Sequence, residues 1–162
     1  MKLKFARVRD VKSPEYGTNG SAGIDFFVPN DFEPTVINPQ NDLLIPSGIK
    51  ANIPHGYMLL GADKSGIVTS KFAYGRTERK PKSTAFRSCI IIGAKVIDED
   101  YQGEIHIHLI NVGDEQVLIK PGMKIAQFIL VPVAYAVLEE TFETTLFSEA
   151  TERGTGGFGS TN

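Results

Sequence analysis

Residues 96–111 read VIDEDYQGEIHIHLIN. Three consecutive acids, Asp98, Glu99 and Asp100, separate an apolar run from a segment with an apolar residue at every second position. Two readings fit. Turns face water, so an acidic turn between two strands is the ordinary outcome. In the other reading, one carboxylate is held at a hairpin tip as a general base, with the Tyr101 ring beside it to pack on a substrate. Residues 61–66, GADKSG, are not a Walker A loop: that motif needs glycine directly before Lys-Ser/Thr, and Asp63 stands there. Lys64, Ser65 and Gly66 still bring a cation, a hydroxyl and backbone N–H groups ahead of a candidate helix, which together make an anion site if that helix forms. His106 and His108 share one face of a strand, but no third ligand follows at metal-binding spacing, so they read as a solvent-facing surface. The C-terminal RGTGGFGSTN sets one arginine and one phenylalanine among four glycines. It is either a disordered tail with an incidental aromatic or an arm that orders over a ligand. G-x-S-x-G, the nucleophile elbow, does not occur.

These groups need a scaffold, and alternation supplies it. Residues 104–109 have the period of a half-buried strand, and residues 124–131 are apolar on both faces, as in a central strand. Shorter candidates are residues 3–5, 23–27, 43–45 and 57–60. Between them lie turn formers such as Pro46-Ser47-Gly48, Pro54-His55-Gly56 and Lys120-Pro121-Gly122. Short strands broken this often predict an all-β sandwich or barrel rather than a parallel βαβ sheet. Helix is expected only over 65–73 and, for a turn or two, 138–145. Residues 73–87, AYGRTERKPKSTAFR, are basic and aperiodic, and predict a long surface loop. The expected organisation is one β domain over 1–148 and a flexible arm over 149–162.

Composition excludes several classes. A chain of 162 residues, 41% hydrophobic, can bury a sizeable core. Its net charge of −2 gives no global pull toward nucleic acid or an anionic membrane. No apolar run approaches the roughly 20 residues that span a bilayer, and MKLKFARVRD lacks a leader's apolar stretch. The single cysteine, Cys89, has no internal disulfide partner and reads as a buried small apolar residue. A cytoplasmic location is expected, or a nuclear one in a eukaryotic or viral setting, with no membrane and no nucleic-acid partner.

In order along the chain, SAGIDF (21–26), KSG (64–66), GAKVIDEDYQGEI (93–105), KPGMKIAQFILVPV (120–133) and RGTGGFGST (153–161) resemble the five sequence motifs of the trimeric dUTP pyrophosphatase (dUTPase) family. The resemblance implies a jelly-roll-like β-barrel or sandwich with one short helix, assembled as a homotrimer with active sites between subunits. It implies hydrolysis of dUTP to dUMP and pyrophosphate with Mg²⁺ as cofactor, the ion held by the triphosphate and waters, and with Asp25 a candidate to reach it through water. By resemblance, Asp98 orients the attacking water, Asp25 supports the polar network, and Gln127 contacts the phosphate chain or the water. Tyr101 packs under the deoxyribose and excludes a 2′-hydroxyl, and uracil is read by main chain around Gly93, Lys95, Val96 and Ile97. Lys64, Ser65 and Gly66 would bind phosphates; in the arm, Arg153, Gly159, Ser160 and Thr161 would hold the β/γ phosphates while Phe158 stacks on uracil. Three departures stand out: Lys64 where the family has arginine, Lys95 where glycine is common, and a longer stretch between Gly66 and Gly93 that contains the basic loop. A positive φ at Lys95 would be strained. Two alternatives share the fold: a dCTP deaminase-like enzyme, and a dUTP-responsive regulatory protein acting through the inserted loop.

Overall fold

The computed structural model describes residues 1–64 and 89–156. They form twelve strands: β1 Lys4–Arg7, β2 Glu15–Tyr16, β3 Gly23–Phe27, β4 Thr35–Ile37, β5 Asp42–Pro46, β6 Ile49–Asn52, β7 Tyr57–Ala62, β8 Ile90–Ile92, β9 Val96–Ile97, β10 His106–Asn111, β11 Val117–Ile119 and β12 Lys124–Pro132. Every pairing is antiparallel. The largest sheet has the order β2-β3-β12-β7-β9; the others are β5-β10-β8, β11-β4 and β1-β6. Thus the chain is all-β, as the alternation predicts. None of these sheets closes on itself among the described residues, which makes the architecture a packing of open sheets. The helix expected over 65–73 lies outside the described residues, as does the basic loop over 73–87. Among the described residues the helical content is one 3₁₀ turn, Glu143–Thr145, within the segment where a turn or two was expected. No helix among them is long and apolar enough to cross a membrane.

The continuous apolar run at 124–131 does become the central strand. Nine residues long, β12 is flanked by β3 and β7. Phe128 is 1% exposed and its ring sits 4.6 Å from that of Phe26 across the ladder, in a tilted contact. Ile45, Leu59, Ile107, Leu109 and Ile119, from β5, β7, β10 and β11, are buried in the same core cluster. Tight corners keep it closed. Pro46-Ser47-Gly48 links β5 to β6 with Gly48 at φ 73°, and a Cβ there would meet Val11 Cγ1 at 2.8 Å, so both the angle and the space require glycine.

The acidic triad is placed differently from a simple hairpin tip. β8 and β10 are the arms that pair, Leu109 opposite Ile92, while the intervening β9 turns away to pair with β7, Ile97 opposite Leu59. Asp98-Glu99-Asp100 therefore opens the connection from β9 to β10. Cys89, just before β8, is half-buried rather than buried.

Replacing Phe128 by alanine removes a ring from the middle of the largest sheet. It is expected to cost about 3–5 kcal/mol, read as a lower midpoint with unchanged slope in chemical denaturation.

Candidate active site

Asp25 is the buried charge around which one half of the site is organised. It lies on β3, is 3% exposed, and accepts from Lys64 Nζ at 2.5 Å through Oδ1 and from Lys124 Nζ at 2.7 Å through Oδ2. Burial pushes its carboxyl up, but the hydrogen bonds and charges of Lys124 and Lys64 together outweigh that and hold it below its ordinary value. The two lysines arrive from different directions: Lys64 follows β7, whereas Lys124 starts β12.

A β-bulge makes this convergence work. Gln127 stands opposite Asp25, and opposite residues of a ladder share a face. Lys124 and Gln127 are three apart, which in a regular strand puts them on opposite faces. The register shifts between Lys124 and Ala126, so Lys124 stands opposite Phe27, on the same face as Asp25 and Gln127. The extra residue also lets Ile125 and Ala126 both face inward, 1% and 0% exposed.

Gln127 is held in turn by Asp63. Its Nε2 donates to the Asp63 carbonyl at 3.0 Å, while the Asp63 carboxylate accepts from the Ile92 N–H at 2.7 Å and faces Lys95 Nζ at 3.6 Å. Asp63, the residue that rules out a Walker A loop, thus joins the ends of β7 and β8 to Gln127 and Lys95. Gly23 is part of the same arrangement, because any Cβ there would run into the Gln127 carboxamide. Neither Lys124 nor Asp63 was expected as a site residue; the bulge that brings Lys124 in has no signature in the residue pattern. Three lysines (Lys64, Lys95, Lys124) against two aspartates (Asp25, Asp63) leave a surplus of positive charge at this end of the sheet, suited to an anion.

The second half lies on the connection after β9. Asp98 is exposed and its carboxylate makes no hydrogen bond or ion pair among the described residues. Its neighbours are tied down. The Tyr101 N–H donates to the Asp98 carbonyl at 3.2 Å, and the Tyr101 hydroxyl donates to the Glu104 carbonyl at 2.9 Å. A Cβ at Gly103 would meet the Tyr101 ring, so the glycine gives the ring its place. Glu104 itself accepts from the Gly48 N–H at 2.7 Å and from Arg9 Nε at 2.9 Å, fixing the loop to the β5–β6 corner.

Val96 and Ile97 form the edge strand of the five-stranded sheet, with one backbone edge paired to β7 and the other without a strand partner among the described residues. The Lys95 carbonyl extends that ladder by accepting from the Gly61 N–H at 2.6 Å. The strain considered for Lys95 does not arise: Gln40, at φ 63°, is the one described non-glycine residue with positive φ. Gly93 closes the β8–β10 pairing through its N–H to the His108 carbonyl, 2.9 Å. His108 is half-buried and bonds Asp42 through Nε2 at 2.7 Å; His106 is exposed, on the face the alternation predicts. Arg153 lies in the exposed arm, where its Nε donates to the Gly156 carbonyl at 2.9 Å. Ser65, Gly66, Phe158, Gly159, Ser160 and Thr161 lie outside the described residues.

One chain therefore brings Asp25, Lys64, Lys95 and Gln127 together but leaves Asp98 and Tyr101 apart from them. Asp98 follows Ile97, which pairs with Leu59, whereas Asp25 stands opposite Gln127, which pairs with Ala62. Three inter-strand steps and four residues along a strand put the Cα atoms of Asp25 and Asp98 about 19 Å apart.

Asp25→Asn removes the counter-charge from two half-buried lysines and is expected to cost about 1–3 kcal/mol near neutral pH. Because the folded carboxyl titrates below its ordinary value, its contribution is fully present above about pH 4 and is lost as pH falls through the folded value. Unfolding curves from pH 7 to pH 2 are thus expected to show wild type and variant converging only at the acid end.

The dUTPase family model matches residues 79–162. The deoxyuridine 5′-triphosphate nucleotidohydrolase of Chlamydia muridarum is 38% identical over 148 residues, covering 91% of this chain and 89% of that protein. The protein of the same name from Hydrogenobaculum sp. (strain Y04AAS1) is 36% identical and covers 99% and 98%. Among solved structures, the dUTPase of Staphylococcus bacteriophage 80alpha with dUPNHPP superposes with a TM-score of 0.76 at 24% identity, covering 99% of this chain and 98% of that one. That structure supports the fold. The sequence relatives carry more, and with the family match they make this chain a member of the dUTPase family.

Proposed function

We propose that this chain hydrolyses dUTP to dUMP and pyrophosphate, with Asp98 orienting the water that attacks the α-phosphorus. The observation that carries the reading is the Asp98 carboxylate, exposed and making no hydrogen bond or ion pair among the described residues, beside Glu99, Tyr101 and Glu104, whose polar groups are engaged. Asp100 shares that exposure, and the order of the VIDEDYQG motif selects Asp98. A carboxylate in that setting is free to accept a proton from water. Attack forms a bond from the water oxygen to the α-phosphorus and breaks the bridging bond to the β-phosphate, releasing pyrophosphate. The lysines around Asp25 would meet the phosphate charge, Lys64 directly and with Ser65 and Gly66. Gln127, fixed by Asp63, would direct its carboxamide oxygen into the same space. The unpaired edge of β9 would read the uracil through main-chain groups from Gly93 to Ile97, with the Tyr101 ring beneath the sugar.

Mg²⁺ is the cofactor that the resemblance implies, an ion that would be carried by the triphosphate and its waters, with Asp25, whose two oxygens accept from Lys64 and Lys124, a candidate to reach it through water. Such an ion neutralises phosphate charge against the incoming water. The roughly 19 Å between the two halves supports assembly, since a neighbouring subunit would bring them together, and the homotrimer is the assembly that the family resemblance implies. The segment before the arm supports this too: Val137, Leu138, Phe142 and Phe147 are 96%, 94%, 80% and 79% exposed, apolar side chains that another surface would cover. Arg153, Phe158, Gly159, Ser160 and Thr161 would then close over a ligand bound between the other two subunits.

Pyrophosphate release from dUTP, with dCTP, dTTP and UTP as controls, tests the reaction. Wild type is expected to act on dUTP above all, and Asp98→Asn to lose about 10²–10⁴-fold in kcat; equal rates would overturn the role of Asp98. Separately, Tyr101→Ala is expected to gain activity on UTP relative to dUTP. No gain would remove the ring as the barrier to a 2′-hydroxyl.

A further inference from the structure

We infer that Glu99 is a positioning residue for Asp98, the centre of a clasp with His55, the Gly56 N–H and Tyr135 that fastens the Asp98 loop to the root of the C-terminal arm. The inference rests on the reading of Asp98 as the group that orients water.

Both Glu99 oxygens are occupied. Oε1 lies 2.8 Å from His55 Nδ1, and Oε2 accepts from the Gly56 N–H at 2.5 Å. The Tyr135 hydroxyl faces the same carboxylate, and the Tyr135 ring stacks on His55 with centroids 6.2 Å apart and planes 13° from parallel. His55, then the Gly56 N–H and Tyr135, hold the carboxyl below its ordinary value against the opposing effect of burial. Gly56, at φ 80°, shapes the turn into β7, and its carbonyl accepts from the Val133 N–H at 2.9 Å. One turn therefore grips both the loop after β9 and the end of β12, after which residues 134–155 are exposed.

Asp98 has little else to orient it. Its own carboxylate makes no hydrogen bond or ion pair among the described residues, β9 before it is two residues long, and the Tyr101 N–H to its carbonyl is a local turn bond. Glu99 is the member of the triad whose side chain reaches another element. The clasp adds little to folding, because its ring partners are surface groups, His55 89% exposed in its side chain and Tyr135 64% exposed. A polar contact at that exposure, next to the Asp98 carboxylate and just after β12, fixes direction more than stability.

The full-length wild type, Asp98→Asn, Glu99→Ala, Glu99→Gln and Tyr135→Phe would be compared for dUTP turnover, melting temperature and mass by light scattering. Glu99→Ala is expected to lower kcat about tenfold or more, as misplacement of a reacting group does, with KM within about threefold. Its melting temperature and mass should match wild type. Glu99→Gln should recover part of the loss, because its carboxamide oxygen still accepts from Gly56, and Tyr135→Phe should fall between. A kcat for Glu99→Ala within about twofold of wild type, alongside an inactive Asp98→Asn, would overturn the clasp and leave the reaction standing. So would a loss fully accounted for by unfolded or dissociated protein, with Tyr135→Phe at the wild-type rate. An Asp98→Asn enzyme at full rate would instead take down the role of Asp98, and the clasp with it.

Discussion

A carboxylate sealed into the largest sheet sets the terms for everything around it. Asp25 is buried on a strand whose five residues are all buried, where a lone charge would be costly to keep ionised. Two lysines make it tolerable, and meeting it constrains both strands that bring them. β12 must carry a bulge so that Lys124 reaches the face of Asp25, and β7 must end where Lys64 can turn back over it. The result is a pair of ammonium groups held in fixed places at one end of the sheet. Lysine is a compact charge on a flexible stem, so an anchoring carboxylate confers the geometry that the arginine fork would have supplied by itself. The departure at Lys64 is therefore less disruptive than the side chain alone suggests.

The same residues explain why the site is split. The charged end of the sheet gathers around Ala62 and Gln127, and the β9 loop leaves the sheet near Leu59. Strand geometry holds the two apart, and no rotamer change closes a gap of about 19 Å. Each half is rigid in its own right: Asp63 binds Gln127, while Glu104 ties the Tyr101 loop to Gly48 and Arg9. On the proposed reading, a ligand that needs both would lie between chains. Assembly would then be a condition of chemistry, with the exposed apolar residues Val137, Leu138, Phe142 and Phe147 part of the same requirement.

Much of this was legible in the residue pattern. The run KIAQFILV marks a central strand because only a strand covered on both faces can be apolar on both, and β3 matches the expected Gly23–Phe27. The motifs placed Asp25, Asp98 and Gln127 in one family's order, and that family is the one the relatives share. Pattern could not say that β9 pairs with β7, because pairing across 35 residues depends on the core and leaves no local trace. Nor could it show Lys124 beside Asp25, since a bulge inverts the face rule that alternation relies on. Glu99 was hidden by its company: three acids in a row look equally solvated until their partners are known.

Those three acids show how one short run divides its labour. Identical in charge and adjacent in sequence, they are separated by what the fold puts near each. Glu99 meets a turn with an N–H, an imidazole and a phenol, and becomes structural. Asp98 makes no hydrogen bond or ion pair among the described residues, which on the proposed reading would leave its lone pairs to a water. The difference comes from β9 being an edge strand of two residues, which brings the triad against the β6–β7 turn on one side and leaves the other side open. An unpartnered carboxylate works as a base only if its surroundings do not move with it, so the free acid and the bound acid belong side by side.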